Sequence, residues 1–280
     1  MAKAGEWTKV AKFEDCKEII YEKKYYNGRG VARISINRPQ RLNALTSVGM
    51  QEIIDALWEA GRDNSIGVVI LTGVGDTAFC TGGDVEWEQT WGTTRGPRAT
   101  PSINDAILDC PKPVIAAVKG WCVGGGNHWA YCCDFTIAAH NAKFGQNGPR
   151  VGSPASGYIV SHLAKIMGHK RAREMWMLCR RYTAQEAYEM GLVNKVVPLE
   201  RIDEEVDKWC QELLALSPTC LRILKASFNG EMEHIRHAAS GYYHKLLAPD
   251  FDGSEEQREA QRAFLEKRLP DFSKFGMGKP

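Results

Sequence analysis

The sequence has no run of about 18 apolar residues, so no segment reads as a membrane-spanning helix. It has no Cys-x-x-Cys pair. Nine cysteines are spread from Cys16 to Cys220, with Cys132 and Cys133 adjacent, a pattern that suits neither a disulfide framework nor a zinc site. Reduced core thiols in a cytoplasmic protein are the expectation. No Gly-x-Gly-x-x-Gly follows a strand and no P-loop is present. The usual cradles for dinucleotides and nucleoside triphosphates are therefore missing. Charge of one sign is missing too: 36 basic against 34 acidic residues leave +2. Nucleic-acid binding asks for a strongly basic face, so none is expected. His234 and His237 have i, i+3 spacing but no further ligands beside them, so no metal is expected. The opening residues are too polar for a signal peptide.

What is present is ordinary globular composition: 280 residues, 44% hydrophobic and 25% charged. A chain of this length buries about three quarters of its unfolded surface without staples. Up to about residue 200, strand and helix patterns alternate. Val31-Ala-Arg-Ile-Ser-Ile36 alternates apolar and polar, as a half-buried strand does. Val68-Val-Ile-Leu-Thr72, Val114-Ile-Ala-Ala-Val118 and Phe135-Thr-Ile-Ala-Ala139 are continuous apolar runs, expected as strands covered on both faces. Between them, residues 47–62, 102–108 and 124–132 have helical spacing, with Ser47 expected to cap the first. Further helices are predicted over 157–167, 170–178 and 183–190, the last opening on the capping-box pattern Thr183-Ala-Gln-Glu186. A short strand is predicted over 194–198. From Arg201 to Arg268 the pattern is helical, broken at Ser217-Pro218 and at 249–253. Fold class is α/β, divided as 1–200, the core, and 201–280, a helical region.

Two glycine turns follow buried segments: Cys80-Thr-Gly-Gly-Asp84 and Val123-Gly-Gly-Gly-Asn127. Each brings free backbone N–H groups near a helix N-terminus, which suits an anion or a developing oxyanion. His128, just past the second turn, is placed where a helix N-terminus disfavours the imidazolium.

These turns occur in order with Ile36-Asn-Arg-Pro-Gln-Arg-Leu-Asn-Ala-Leu45, Val114-Ile-Ala-Ala-Val-Lys-Gly120 and Cys133-Asp-Phe-Thr-Ile-Ala-Ala139. The series resembles the crotonase (enoyl-CoA hydratase/isomerase) superfamily. Phe144-Gly-Gln-Asn-Gly-Pro-Arg-Val-Gly-Ser153, Lys170-Arg-Ala-Arg-Glu174, Met190-Gly-Leu-Val-Asn194 and Arg268-Leu-Pro-Asp-Phe-Ser-Lys-Phe275 are similar to its 1,4-dihydroxy-2-naphthoyl-CoA synthase and 2-ketocyclohexanecarboxyl-CoA hydrolase branch.

The resemblance implies a spiral of strand–strand–helix turns, with a helical C-terminal region packing on a neighbouring subunit in a trimer or hexamer. It implies oxyanion donors at the N–H of Gly83 and of Gly125, with Asp84 ordering the first turn. It implies CoA contacts at Arg38, Arg41 and Ala44, and at Phe264 and Lys267 toward the CoA of a neighbour. The CoA thioester is substrate, and no tightly bound cofactor is implied. Bicarbonate, standing in for a catalytic carboxylate, is implied by Gln146 and Trp176, with Ser153 also kept.

Departures from the family pattern direct the reaction. The hydratases' two glutamates align with His128 and Gly148. The branch's aspartate aligns with Ala155 and its tyrosine with Asp252. His128 is read as a base or water-orienting group that Asp252 pairs with or assists. Trp87, Trp91 and Trp129 are read as an aromatic wall for an alicyclic ring. The expected reaction is hydrolytic C–C cleavage of a cyclic β-keto acyl-CoA through a thioester enolate. The alternatives are ring-closing naphthoyl-CoA synthesis, hydration of a cyclic dienoyl-CoA, and a non-catalytic binding homologue.

Overall fold

The computed structural model describes residues 5–91, 102–155, 157–238 and 247–275. Its strands are β1 (Thr8–Lys9), β2 (Ile19–Tyr26), β3 (Arg29–Ile36), β4 (Ile66–Gly73), β5 (Ala78–Cys80), β6 (Val114–Val118), β7 (Trp121–Val123), β8 (Phe135–Ala139), β9 (Lys143–Gly145), β10 (Arg181–Thr183) and β11 (Lys195–Val197). Seven form a large sheet in the order β1-β2-β3-β4-β6-β8-β11, and four a small sheet in the order β10-β9-β7-β5. The two ladders β1–β2 and β2–β3 are antiparallel, and β3, β4, β6, β8 and β11 run parallel. In the small sheet β5, β7 and β9 are parallel, and β10 is antiparallel to β9.

The chain therefore climbs as a spiral. Each turn lays a strand in the large sheet, then a short strand in the small sheet, then a helix. The units β4–β5, β6–β7 with the helix Gly125–Cys132, and β8–β9 are successive turns of it. The α/β crotonase-type fold class agrees with this architecture.

The apolar runs are the central strands. Every residue of β6 is buried, as a parallel strand covered on both faces must be. The helix Ser47–Arg62 buries Ile53, Ile54 and Leu57 in the main core. Its N-cap is Thr46 rather than Ser47: the Thr46 side chain accepts from the N–H of Val48. The box Ser102/Asp105 and the box Thr183/Glu186 both close, each satisfying backbone donors the helix leaves unpaired.

The reading by pattern missed β2. Its partner register is set by Asn27-Gly28, both at positive φ, a two-residue hairpin turn. The helix Ile202–Leu214 belongs to this chain's own core. Ile202, Val206, Cys210 and Leu214 pack on Val68, Ile70, Ile115 and Ile137, covering the outer face of the large sheet. The helix Pro218–Ala238 is tied down by buried Lys225, whose Nζ donates to the Ile107 and Lys112 carbonyls and to Asp134 at 2.7 Å.

Candidate functional site

The site sits where the short strands of the small sheet end. The turn after β5 runs Thr81-Gly-Gly-Asp84 into the helix Val85–Trp91. The N–H of Leu45 donates to the Gly82 carbonyl and the N–H of Asp84 to the Leu45 carbonyl, both at 2.9 Å. These two bonds bracket Gly83 and leave its N–H without an acceptor among the described residues. The turn after β7 opens the helix Gly125–Cys132, whose first N–H, that of Gly125, has no intrahelical partner. The two turns pack as one unit. A Cβ on Gly126 would collide with the Cys80 carbonyl, and a Cβ on Gly125 would lie 3.1 Å from the Cα of Gly82.

Both donors line one cavity of about 680 Å³. Its wall includes His128, Gln146, Gly148, Ser153, Ala155 and Trp176, then Arg41, Ala44 and Glu88, and Phe264, Leu265 and Lys267 from the end of the C-terminal helix and just beyond it.

His128 projects from the first turn of its helix, with Nε2 at 3.2 Å from Oε1 of Gln146. That oxygen only accepts, so Nε2 carries the proton and Nδ1 keeps the lone pair. Burial pushes the imidazole pKa down to about 4 against the opposing effect of the hydrogen bond that Gln146 accepts. Desolvation is the largest cause. The ring leans on Trp176, with centroids 5.2 Å apart. Gln146 is fully buried, held where β9 ends. Its Nε2 and the Nε1 of Trp176 are buried donors with no partner among the described residues. Two orphan donors in one cavity wall suit an oxyanion, since an unsatisfied buried donor costs about 1–3 kcal/mol.

Asp84 orders the first turn as expected. Burial raises its pKa, but hydrogen bonds from Arg41 and Arg38 outweigh that and hold the carboxyl below its usual range. It also accepts from the N–H of Glu86 at 3.2 Å, at the start of the helix Val85–Trp91. Arg38 is spent inside the protein, on Asp84 at 3.0 Å, on Glu18 at 3.3 Å and on the carbonyl of Ala44. It does not line the cavity. Arg41, half-exposed between Asp84 and Glu86, does.

Other expectations move. Phe264 and Lys267 line the cavity of their own chain. Asp252 lies in the turn ahead of the helix Glu255–Leu265, outside the wall, and the imidazole partner is Gln146 instead. A residue three before a helix start is placed by that helix's docking, not by the site. Ser153 and Ala155 both line the wall, so the branch's carboxylate position is present as a methyl group. Trp129 is core, packed behind Gly125, and Trp87 is off the wall. The Trp91 side chain lies outside the described residues. Among the described residues, the tryptophans at the cavity are Trp121 and Trp176.

Sequence reading missed Glu88 and Arg181. Arg181 donates to the Gln146 carbonyl and, at 2.8 Å, to Oδ1 of Asn147, fixing the segment that carries Gln146. Glu88 stands one helical turn after Asp84, the only signal that could have found it, and that needed the helix Val85–Trp91 to be recognised first. Among the described residues, no cluster of His, Cys, Asp and Glu could hold a metal, and no helix is long and apolar enough to cross a membrane.

Residues 27–275 match the family described as Enoyl-CoA hydratase/isomerase. Among solved structures, an enoyl-CoA hydratase from Mycobacterium avium subsp. paratuberculosis K-10 is 29% identical at a TM-score of 0.75, over 90% of this chain and 98% of that one. An enoyl-CoA hydratase/isomerase from Xanthobacter autotrophicus Py2 is 30% identical at a TM-score of 0.75, over 93% and 99%. A methylmalonyl-CoA decarboxylase in complex with 2-nitronate-propionyl-CoA is 25% identical at 0.75, over 90% and 97%. With the spiral, the paired turns and a match over most of its length, the chain belongs to the enoyl-CoA hydratase/isomerase family, the crotonase superfamily of acyl-CoA enzymes.

Proposed function

We propose that this enzyme hydrolyses a C–C bond of a cyclic β-keto acyl-CoA, opening the ring through a thioester enolate. The observation that carries this reading is one cavity with two unpaired backbone donors, Gly83 and Gly125, beside which positions 128 and 148 are a histidine and a glycine. His128 and Gly148 occupy the positions where the family's hydratases have those glutamates. Simple water addition to an open-chain enoyl-CoA loses the acid and base that the hydratases carry at those two positions, while enolate stabilisation stays intact.

In this reading the thioester oxygen accepts from Gly83 and Gly125, and water adds to the ring ketone. The bond between that carbon and the α-carbon then breaks. Its electron pair becomes the enolate, whose charge falls on the oxygen between the two donors. Losing one such donor costs about 10²–10³ in rate. Neutral His128 orients the attacking water through Nδ1. Gln146 Nε2 and Trp176 Nε1, both unpartnered, are the groups that would hold a bicarbonate. When bound, such an anion supplies the carboxylate-like base that the missing glutamates supply elsewhere.

Arg41, the Ala44 backbone and Lys267 at the rim are the proposed CoA contacts. A homotrimer or hexamer is supported by apolar side chains left exposed on the helix Pro218–Ala238: Ile223, Leu224 and Phe228, the last 79% exposed. The cysteines are all free thiols, which suits a reducing, cytoplasmic setting.

The test is incubation with 2-ketocyclohexanecarboxyl-CoA and, separately, with o-succinylbenzoyl-CoA. The expected product is a dicarboxylic mono-CoA that has gained one water, from the first substrate only. A naphthoyl-CoA from the second, with the first unchanged, would overturn the reading.

A further inference from the structure

The proposed reaction leaves one proton without a donor. The enolate must be protonated at its α-carbon before product leaves, and His128, Gln146 and Trp176 are engaged on the water and anion side of the cavity. The same cavity wall, beside Gly83, carries an acid that has no part in the steps described so far. Glu88 projects from the helix Val85–Trp91 into the cavity. Its carboxylate lies flush against Gly83, so closely that a Cβ on that glycine would collide with Oε1. Among the described residues no cation pairs with it and no side chain hydrogen-bonds to it.

We propose that Glu88 is the catalytic residue that exchanges a proton with the substrate carbon next to the thioester. This rests on the acyl-CoA reading of the cavity, in which the Gly83 N–H holds the thioester oxygen. The α-carbon is then within about 5 Å of that nitrogen by ordinary bond and hydrogen-bond lengths. A carboxyl group against Gly83 in the same cavity is therefore within reach of the α-carbon. During ring opening, the C–C electron pair forms the enolate. The Glu88 carboxyl gives its proton to the α-carbon, is left as carboxylate, and is recharged from solvent. In the reverse sense the carboxylate removes an α-proton and the C–H pair becomes the enolate.

Protonation state agrees with that task. Burial, and then the charge of Asp84, raise the Glu88 carboxyl to about 7. An acid near the working pH serves proton transfer in both directions. The charged and titratable groups facing it are Asp84 and Glu86 on its own segment, Arg41 bound to both, and His128, Arg181 and Lys267 on the other walls. Among the described residues none of the cations Arg41, Arg181 and Lys267 pairs with Glu88. His128, held near 4, is too weakly basic to do the same work.

The experiment uses the full chain and cyclohexanecarboxyl-CoA, which carries an α-hydrogen but no ring ketone, in D2O. The wild type should incorporate one deuterium at the α-carbon, at a rate that rises with pH through a midpoint near 7. Glu88→Gln should lower that rate by about 100-fold or more and flatten the profile, while binding the same thioester within about threefold. Glu88→Asp should restore part of the rate. Exchange by Glu88→Gln within about tenfold of wild type would overturn the proposal, as would a wild type that binds the thioester without exchanging. If Glu88-dependent exchange occurs but 2-ketocyclohexanecarboxyl-CoA is not opened, the ring-cleavage reading fails and the role of Glu88 stands.

Discussion

Two side chains in the cavity are displaced from their ordinary titration in opposite directions, and stability should record both. Burial lowers His128 from 6.5 to about 4, while burial and Asp84 raise Glu88 from 4.5 to about 7. Between pH 4 and 6.5 an unfolded imidazole binds a proton that the folded one refuses. The folded state therefore loses stability as pH falls through that window. Between pH 4.5 and 7 the folded Glu88 keeps a proton that the unfolded carboxyl releases. Its contribution is complete below pH 4.5 and lost as pH rises through 7. Each contribution is on the order of 3 kcal/mol, and in wild type they largely cancel. Thermal melts at pH 4.5 and pH 8 separate them. Relative to wild type, Glu88→Gln should gain stability at pH 8, and His128→Gln should gain at pH 4.5.

The element that matters most is the small sheet. Its strands β5, β7, β9 and β10 are three residues each, too short to show any period, and none of them was predicted from pattern. Yet their ends carry Gly83, Gly125 and Gln146. The large-sheet strands and most helices were legible because apolar runs and 3.6-residue spacing persist over enough residues to decide. The glycine turns were visible as motifs, but their contact was not: it depends on the helix Gly125–Cys132 lying directly on Cys80. Gly126→Ala places a Cβ against the Cys80 carbonyl, backbone that cannot step aside. Overpacking of this kind should cost about 2 kcal/mol or more and part the two donors. A fall in denaturation midpoint, with kcat reduced about 100-fold, is the expected outcome.

For the molecule as a whole, the C-terminal helix is what completes the cavity. The helix Glu255–Leu265 docks on the turn at Gly152, where Gln257 Nε2 donates to the Gly152 carbonyl at 3.1 Å. Gly152 has φ +63°, and a Cβ there would sit 3.0 Å from the Cβ of Ala260. Gly152→Ala should therefore push the helix outward and move Phe264 and Lys267 off the wall. The expected result is a KM for acyl-CoA raised about tenfold, with a smaller change in kcat, checked by steady-state kinetics. Wild-type KM in this variant would mean that the helix does not hold the thioester. The division at residue 200 also looks different in three dimensions, because the helix Ile202–Leu214 covers the sheet built by the first 200 residues.

The sequence by itself determined the α/β alternation, the central strands and the two glycine turns. Those properties are local: apolar periodicity, capping residues and glycine-permitted turns act over a few neighbouring residues. It also placed His128, Gln146 and Ser153 in the site, through motif order. Only the tertiary structure decided which charges reach the cavity. Arg38 and Arg41 are three residues apart, yet one is consumed by Glu18 and Asp84 while the other reaches the rim. Asp252 falls outside the wall and Glu88 falls inside it. Nothing local separates those carboxylates, since burial and proximity arise from packing between distant segments. That packing is also what sets one imidazole near 4 and one carboxyl near 7 in the same cavity.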